Sequence, residues 1–273
     1  MAYLRIYFAV ETKKQKVMQK IQDLKPTYFD PLFSDAAQMT VETQRAHIVD
    51  IQKEFDLGIN RASKIMNEME MAGIISPLNN ATRQRQVLIA TQDELIQVLQ
   101  SLGMAINYIF LDFDGVLNTE ENQCRLQQFD LSCEDLYGRL FSPQAMNNLY
   151  RIVKATGARI IVISSWKDIH GLDGLRQMWK KRGYKGMIHD VTRNNVSDEW
   201  LLNADLSALE DFSMPHPKGM EIAYYLKTHE VTNYVILDDE PIALDEQREH
   251  LFMVNPHDGL TDDVADKVIE FLK

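Results

Sequence analysis

Apolar positions along the chain change their spacing near residue 105. Between residues 31 and 73 they recur at helical intervals in three runs. The first, roughly 31–42, carries Leu32, Phe33, Ala36, Ala37 and Met39; the second, roughly 44–56, carries Ile48, Ile51 and Phe55; the third, roughly 60–72, carries Ala62, Ile65, Met66, Met69 and Met71. The joint DLGIN predicts Gly58 just past one helix and Asn60 as the N-cap of the next. After Gly73, ISPLNNATRQRQVLIA reads as a strand, a turn at Asn79-Asn80 and a second strand, and residues 91–103 as a further amphipathic helix. Ahead of these runs, residues 3–10 predict a short strand or helix start and 11–24 a polar helix. Pro26 and Pro31 then interrupt, with Thr27 and Asp30 as caps.

From Asn107 the pattern becomes continuous apolar runs separated by helical stretches. The runs are YIFLDF (108–113), ARIIVIS (158–164) and NYVILD (233–238); helices are predicted over 142–156 and 218–229. Fully apolar strands alternating with helices predict a parallel α/β sheet flanked by helices. Ligands of such sheets bind at the carboxyl ends of the strands, which directs attention to Asp112, Asp114, Ser164, Ser165, Asp238 and Asp239. Three helices followed by a hairpin is the order of a winged helix. The expected organisation is an extension (1–30), a winged-helix domain (31–90), a connecting helix (91–105) and an α/β domain (106–273).

Composition separates the two parts further. Residues 1–103 carry 12 Lys+Arg and 12 Asp+Glu, whereas residues 104–273 carry 17 and 28, so the whole net charge of −11 belongs to the second part. An acidic surface is a poor non-specific nucleic-acid binder, but its carboxylates suit a metal site. With 45% hydrophobic residues the chain supports real cores. No apolar run is long enough to cross a bilayer, no secretory signal is expected, and Cys124 and Cys133 fit neither a disulfide framework nor a zinc pattern. A cytoplasmic protein without membrane attachment is the expectation.

Taken singly, the polar strand ends have ordinary readings. Asp112-Phe113-Asp114-Gly115 fits a turn, a capping pair or part of a calcium loop; Asp238-Asp239 fits a helix cap; Ser164 can satisfy a turn, and Lys218 can be an exposed first-turn residue. Together, an acidic pair, a hydroxyl, a lysine and a second acidic pair form a complete set for phosphoryl chemistry. Carboxylates hold Mg2+, one carboxylate remains for acid–base work, and Ser and Lys bind phosphoryl oxygens.

The motifs FLDFDGVLN, RIIVISSW, Lys218 and VILDDE resemble those of the haloacid dehalogenase (HAD) superfamily of phosphohydrolases over residues 106–273. FLDFDGVLN, SSW and VILDDE, with an acidic C-terminal helix, are similar to the branch found in Swiss-army-knife RNA-repair proteins. The resemblance implies a Rossmannoid fold, with Asp112 as the nucleophile that becomes an aspartyl-phosphate and Asp114 as the general acid and base. Ser164 would bind the phosphoryl group and Lys218 would offset charge. Asp112, Asp238 and Asp239 would hold Mg2+, with Asp114 contributing its backbone carbonyl. Ser165 stands beside Ser164, and the order of residues favours Ser164 because it directly follows the apolar run. About 50 residues separate the first two motifs, too few for a large cap. NNVSDEWLLNADLSALEDFSMPHP is left as a small lid. Trp166 has two readings, a base-stacking platform or a packing residue, and His170 reads as an ordinary polar residue.

The stretch from DPLF through QKEF, GINRA and MEMAGIISP resembles the gamma domain of FtsK-type DNA translocases. By that resemblance the third helix enters the major groove with Asn60, Arg61 and Lys64, while Arg83 and Arg85 on the wing meet phosphate or the minor groove. The charge departs from this pattern. Residues 31–90 hold 6 Lys+Arg against 7 Asp+Glu, and Asp50, Glu54 and Asp56 lie close to the turn. No GxxxxGK[ST] is present, so the module serves something other than an ATP-driven motor.

Two functions are therefore expected to compete. One is a Mg2+-dependent phosphatase, acting on a terminal phosphate of a nucleic acid and targeted by a DNA-binding winged helix; Lys218 and Lys167 would reverse the acidic field locally. The other is a DNA- or protein-binding regulator whose HAD domain is a non-catalytic platform. A phosphotransferase is a lesser variant of the first.

Overall fold

The computed structural model describes residues 29–193 and 216–273. The expected elements over 3–10 and 11–24, the Thr27 cap and most of the expected lid lie outside the described residues. The chain divides into two compact units, one ending at Ile106 and the other beginning at Asn107.

The N-terminal unit is built on α1 (Phe33–Thr43), α2 (Ile48–Phe55), α3 (Ile59–Met71) and α4 (Gln92–Ser101). Ala62, Ile65, Met66 and Met69 form the buried stripe of α3 at helical spacing, and Ile51 and Phe55 do the same on α2. The joint between them differs from the expected one. Asp56, not Gly58, takes the left-handed conformation that ends α2 (φ +51°), and Gly58, extended at φ −66°, is the N-cap of α3. Aspartate tolerates the left-handed region, so α2 stops sooner and Asn60 falls inside the first turn of α3. The wing is a minimal hairpin. It has one antiparallel bridge, Ile75↔Val87, flanked by Leu88 N–H to Ile74 O and Ser76 N–H to Gln86 O, each 2.8 Å. Beyond it the Gln86 N–H donates to Ser76 Oγ and the Arg85 guanidinium donates to Ser76 O, so side chains replace the next ladder bond. This is a winged helix.

The C-terminal unit is a five-stranded parallel sheet of β1 (Asn107–Leu111), β4 (Arg159–Val162), β5 (Ile188–Val191), β6 (Asn233–Asp238) and β7 (Leu251–Met253), in the order β5-β4-β1-β6-β7. A two-stranded hairpin, β2 (Glu134–Asp135) and β3 (Gly138–Arg139), follows α5 (Glu120–Gln128). The remaining helices are α6 (Pro143–Thr156), α7 (Trp166–Lys181), α8 (Pro217–Thr228) and α9 (Asp262–Leu272).

Alternate residues of β1 serve the two faces of the sheet. Ile109 and Leu111 join a buried cluster with Leu149 and Ile152 of α6, Leu175 and Met178 of α7, and Val268 of α9. On the other face Tyr108 and Phe110 meet Tyr225 of α8 edge-on, with ring centroids 5.7 and 5.6 Å apart. Both faces are thus covered, which is why the strand reads as unbroken apolar sequence. Among the described residues no helix is long and apolar enough to cross a membrane.

Candidate active site

The three motif loops leave adjacent strands at their carboxyl ends. Past β1, the Asp112 N–H donates to Leu237 O of β6 at 2.9 Å, and past β4, the Ile163 N–H donates to Leu111 O at 3.0 Å. The centre of the sheet, where chain progression reverses, therefore carries Asp112, Ser164 and Asp238 side by side. Lys218 reaches the same point from the first turn of α8, whose N-cap His216 accepts the Lys218 N–H through Nδ1 at 3.3 Å.

The loop after β1 folds back on itself. Leu117 and Asn118 donate backbone N–H groups to Phe113 O at 2.8 and 3.0 Å, and Gly115 donates to Asn118 O at 3.1 Å. Gly115 is left-handed (φ +71°), and a Cβ there would lie 2.3 Å from Asp239 Oδ2. Glycine thus lets two acidic motifs approach closely. Asp114 is exposed at the mouth, with Oδ1 accepting from Asn118 Nδ2 and Oδ2 accepting from Trp166 Nε1 at 3.0 Å.

Lys218 Nζ donates to Asp112 Oδ2 at 3.0 Å and to Asp238 Oδ2 at 2.8 Å. Carboxylate oxygens of Asp112, Asp238 and Asp239 lie within 4.8 Å of one another. Three carboxylates against one ammonium leave an excess of negative charge in a mostly buried place. Burial and the neighbouring charge of Asp112 push Asp238 up to about 6 despite Lys218, and the same two causes raise Asp239. Burial disfavours the charged form of Lys218, but Asp112 and Asp238 outweigh it and hold its pKa above the ordinary value. Hard oxygen donors with surplus negative charge fit a divalent cation such as Mg2+.

Ser164 is fully buried, and its Oγ has no hydrogen-bond partner among the described residues. Ser165 is exposed and opens α7 without capping it through its side chain. Lys167 does not face the site as expected. It is buried, with Nζ 3.2 Å from Glu221 Oε2, and Glu221 in turn accepts from Thr192 Oγ1 at 2.6 Å. A base-stacking Trp166 is also excluded: the indole is buried against Phe113 and Phe141, at centroid distances of 5.7 and 5.6 Å. His170 bonds to Tyr137 O at 3.0 Å through Nε2. Neither Trp166 nor Asn118 had a signal marking it as a partner of Asp114, apart from proximity to a motif.

In the N-terminal unit the expected nucleic-acid contacts divide into two groups. Arg61 forms a two-pronged pair with the buried Asp30, at 2.9 and 2.8 Å. Arg85, mostly buried, bonds Glu70 and Ser76 O. Asn60, Lys64 and Arg83 are exposed, with Lys64 Nζ 3.5 Å from Glu68 on its own helix and Arg83 left-handed (φ +56°) at the wing turn.

The family described as the HAD domain in Swiss Army Knife RNA repair proteins matches residues 108–265, more than half of the chain. The Ftsk gamma domain matches residues 27–90. Among curated proteins, the DNA translocase FtsK of Lactococcus lactis subsp. lactis (strain IL1403) is 40% identical over 67 residues, 24% of this chain and 9% of that protein. The DNA translocase FtsK of Streptococcus pneumoniae (strain ATCC BAA-255 / R6) is 44% identical over 59 residues, 22% and 8% of the two chains. That of Haemophilus influenzae is 40% identical over 55 residues, 20% and 10%. The chain spans about a tenth or less of the length of these relatives.

Proposed function

Because this chain belongs to the family of HAD domains found in Swiss Army Knife RNA repair proteins, we propose that it is a Mg2+-dependent phosphatase working through an aspartyl-phosphate on Asp112. The observation that carries this reading is the convergence of Lys218 with Asp112, Asp238 and Asp239 at the carboxyl edge of the sheet. The buried Ser164 Oγ beside them, without a hydrogen-bond partner among the described residues, suits a phosphoryl oxygen as its ligand and favours Ser164 over the exposed Ser165.

Asp112, Asp238 and Asp239 would hold Mg2+, joined by the backbone carbonyl of Asp114. Bound there, the ion supplies charge neutralisation for the phosphoryl oxygens. Asp112 attacks phosphorus while the bond to the leaving oxygen breaks, and Asp114 gives that oxygen its proton. In the second step the Asp114 carboxylate takes a proton from water, the water oxygen attacks phosphorus, and Asp112 departs as a free carboxylate. Lys218 keeps Asp112 oriented and offsets its charge throughout, and Ser164 donates to the transferring group.

The substrate we infer is a phosphate at the end of a nucleic acid. Asp114, which must reach the leaving group, is exposed rather than enclosed, so a bulky leaving group can approach it. A terminal phosphate needs only a local reversal of the acidic field, whereas an internal phosphate brings a longer run of repelled charge. The winged helix would bind DNA through Asn60, Lys64 and Arg83 and raise the local concentration of polymer. The pairing of Arg61 and Arg85 with acids favours a second reading for this module, contact with a protein partner.

The test compares Mg2+-dependent hydrolysis of 5′- and 3′-phosphorylated oligonucleotides with that of a mononucleotide. The full chain is set against its Lys64→Glu/Arg83→Glu variant. The reading expects the oligonucleotide to be preferred and the variant to lose that preference. A better mononucleotide rate, unchanged in the variant, would replace it with a small-metabolite phosphatase. No hydrolysis of any phosphate ester would leave the regulator reading in its place.

A further inference from the structure

We propose that Trp166 is a positioning residue for Asp114, and that the β2–β3 hairpin holds it in place. The inference rests on the reading of Asp114 as general acid. Asp114 is exposed on a tight loop, where a short carboxylate has several staggered positions available. Two donors remove that freedom. Asn118 Nδ2 holds Oδ1, and Trp166 Nε1 holds Oδ2 at 3.0 Å.

The indole donor is itself fixed. Trp166 is 8% exposed and is walled by Phe113 and Phe141. Gly138 of β3 lies so close that a Cβ there would stand 2.8 Å from Trp166 Cη2. The Arg182 guanidinium is 5.8 Å from the indole centroid. Arg182 is in turn held by Asp135 of β2 at 2.6 and 3.0 Å, and it donates to Gly138 O at 2.9 Å. A residue needed only for packing has no use for its N–H, and phenylalanine would fill much of the same volume. The indole N–H can only donate, and its acceptor is the carboxylate assigned to proton transfer. Fixing that carboxylate keeps it in line with the leaving oxygen, where a displacement of about 1 Å costs on the order of a hundredfold in rate.

The role is separable from structure because protonation of the leaving oxygen matters only for poor leaving groups, and kcat/KM reports the step in which that oxygen departs, not the later hydrolysis common to both substrates. The experiment uses the full chain with Mg2+ and two substrates, p-nitrophenyl phosphate and an alkyl phosphate monoester. Trp166→Phe should lower kcat/KM on the alkyl ester by about tenfold or more and should change kcat/KM on p-nitrophenyl phosphate by less than about threefold. In an Asp114→Asn background, Trp166→Phe should cost little further on the alkyl ester, since its effect passes through Asp114. Should Trp166→Phe fail to fold, benzothienylalanine at position 166 removes the N–H and keeps the ring shape. Equal losses of kcat/KM on both substrates, or independent losses in the double variant, would overturn the proposal while leaving the acid assignment intact. Undiminished alkyl-ester turnover in Asp114→Asn alone would overturn the acid assignment, and the role of Trp166 with it.

Discussion

Charged side chains are used differently in the two units. In the C-terminal unit Lys218 is shared by Asp112 and Asp238, and Asp239 stands close by without a lysine of its own. In the N-terminal unit three of the cations each meet a single acid: Arg61 with Asp30, Lys64 with Glu68, Arg85 with Glu70. The first arrangement keeps a surplus of buried negative charge, which is costly unless something cationic binds it. Within each of these three pairs no charge is left over. Surplus negative charge suits a cationic ligand, whereas a matched pair is satisfied within the fold. Substitutions should separate the two cases.

The largest effect is expected for Asp112→Asn. It should lower phosphatase turnover by about a thousandfold or more while the far-UV circular dichroism spectrum stays unchanged. Retained activity would remove covalent catalysis by Asp112. Next comes Gly115→Ala, which forces a side chain into a left-handed residue and against Asp239 Oδ2. It should reduce turnover by about ten- to a hundredfold and raise the Mg2+ concentration needed for half-maximal activity. An unaltered Mg2+ dependence would separate Asp239 from the metal.

The surplus charge should also register in stability without metal. Asp238 has a folded pKa of about 6 against an ordinary 3.8, so the native state holds its proton longer than the unfolded chain. Stability from this group is fully present below pH 3.8 and is lost as pH rises through 6. In EDTA, Asp238→Asn should therefore be more stable than the parent at pH 7, by about 2–3 kcal/mol at most, and the gap should close in acid. Denaturant midpoints at pH 4 and pH 7 measure it, and a gap that widens in acid would refute the argument.

In the balanced unit the effects should be smaller and of another kind. Arg61→Ala leaves the buried Asp30 carboxylate without its main partner and should destabilise the winged helix by about 1–2 kcal/mol in thermal melts. Lys64→Glu with Arg83→Glu should leave stability nearly unchanged. It should weaken DNA binding several-fold and flatten its dependence on salt. Unchanged DNA affinity would favour a protein partner for this unit.

What could be read from the sequence follows from range. β1, β4 and β6 were legible because their middle residues are buried and apolar in an unbroken run. The two-residue strands β2 and β3 leave no such pattern, and α5 was not anticipated because its residues are almost all polar. The acidic motifs were legible because their spacing is local. The bond from Trp166 to Asp114 joins residues 52 apart, and the pair from Arg61 to Asp30 joins residues 31 apart. Neither partner carries a local sign of the other. Arg61 was correctly placed on the third helix, yet its charge is spent inside the fold. Lys167, next to a motif, points instead to Glu221. The wing fell short of two full strands because the Arg85 guanidinium and Ser76 Oγ take the backbone groups of the next ladder bond.

The position of β1 in the sheet bears on how the protein is made. This strand emerges first among the five and takes the central place, with β4 on one side and β6 on the other. Two of the three clustered carboxylates, Asp238 and Asp239, are translated more than a hundred residues after Asp112. A nascent chain that has completed β4 already carries Asp112, but it lacks Lys218 and the rest of the acidic cluster. The chain must therefore be made past Asp239 before the three carboxylates can come together. The winged helix, complete by residue 101, can leave the ribosome folded well before then.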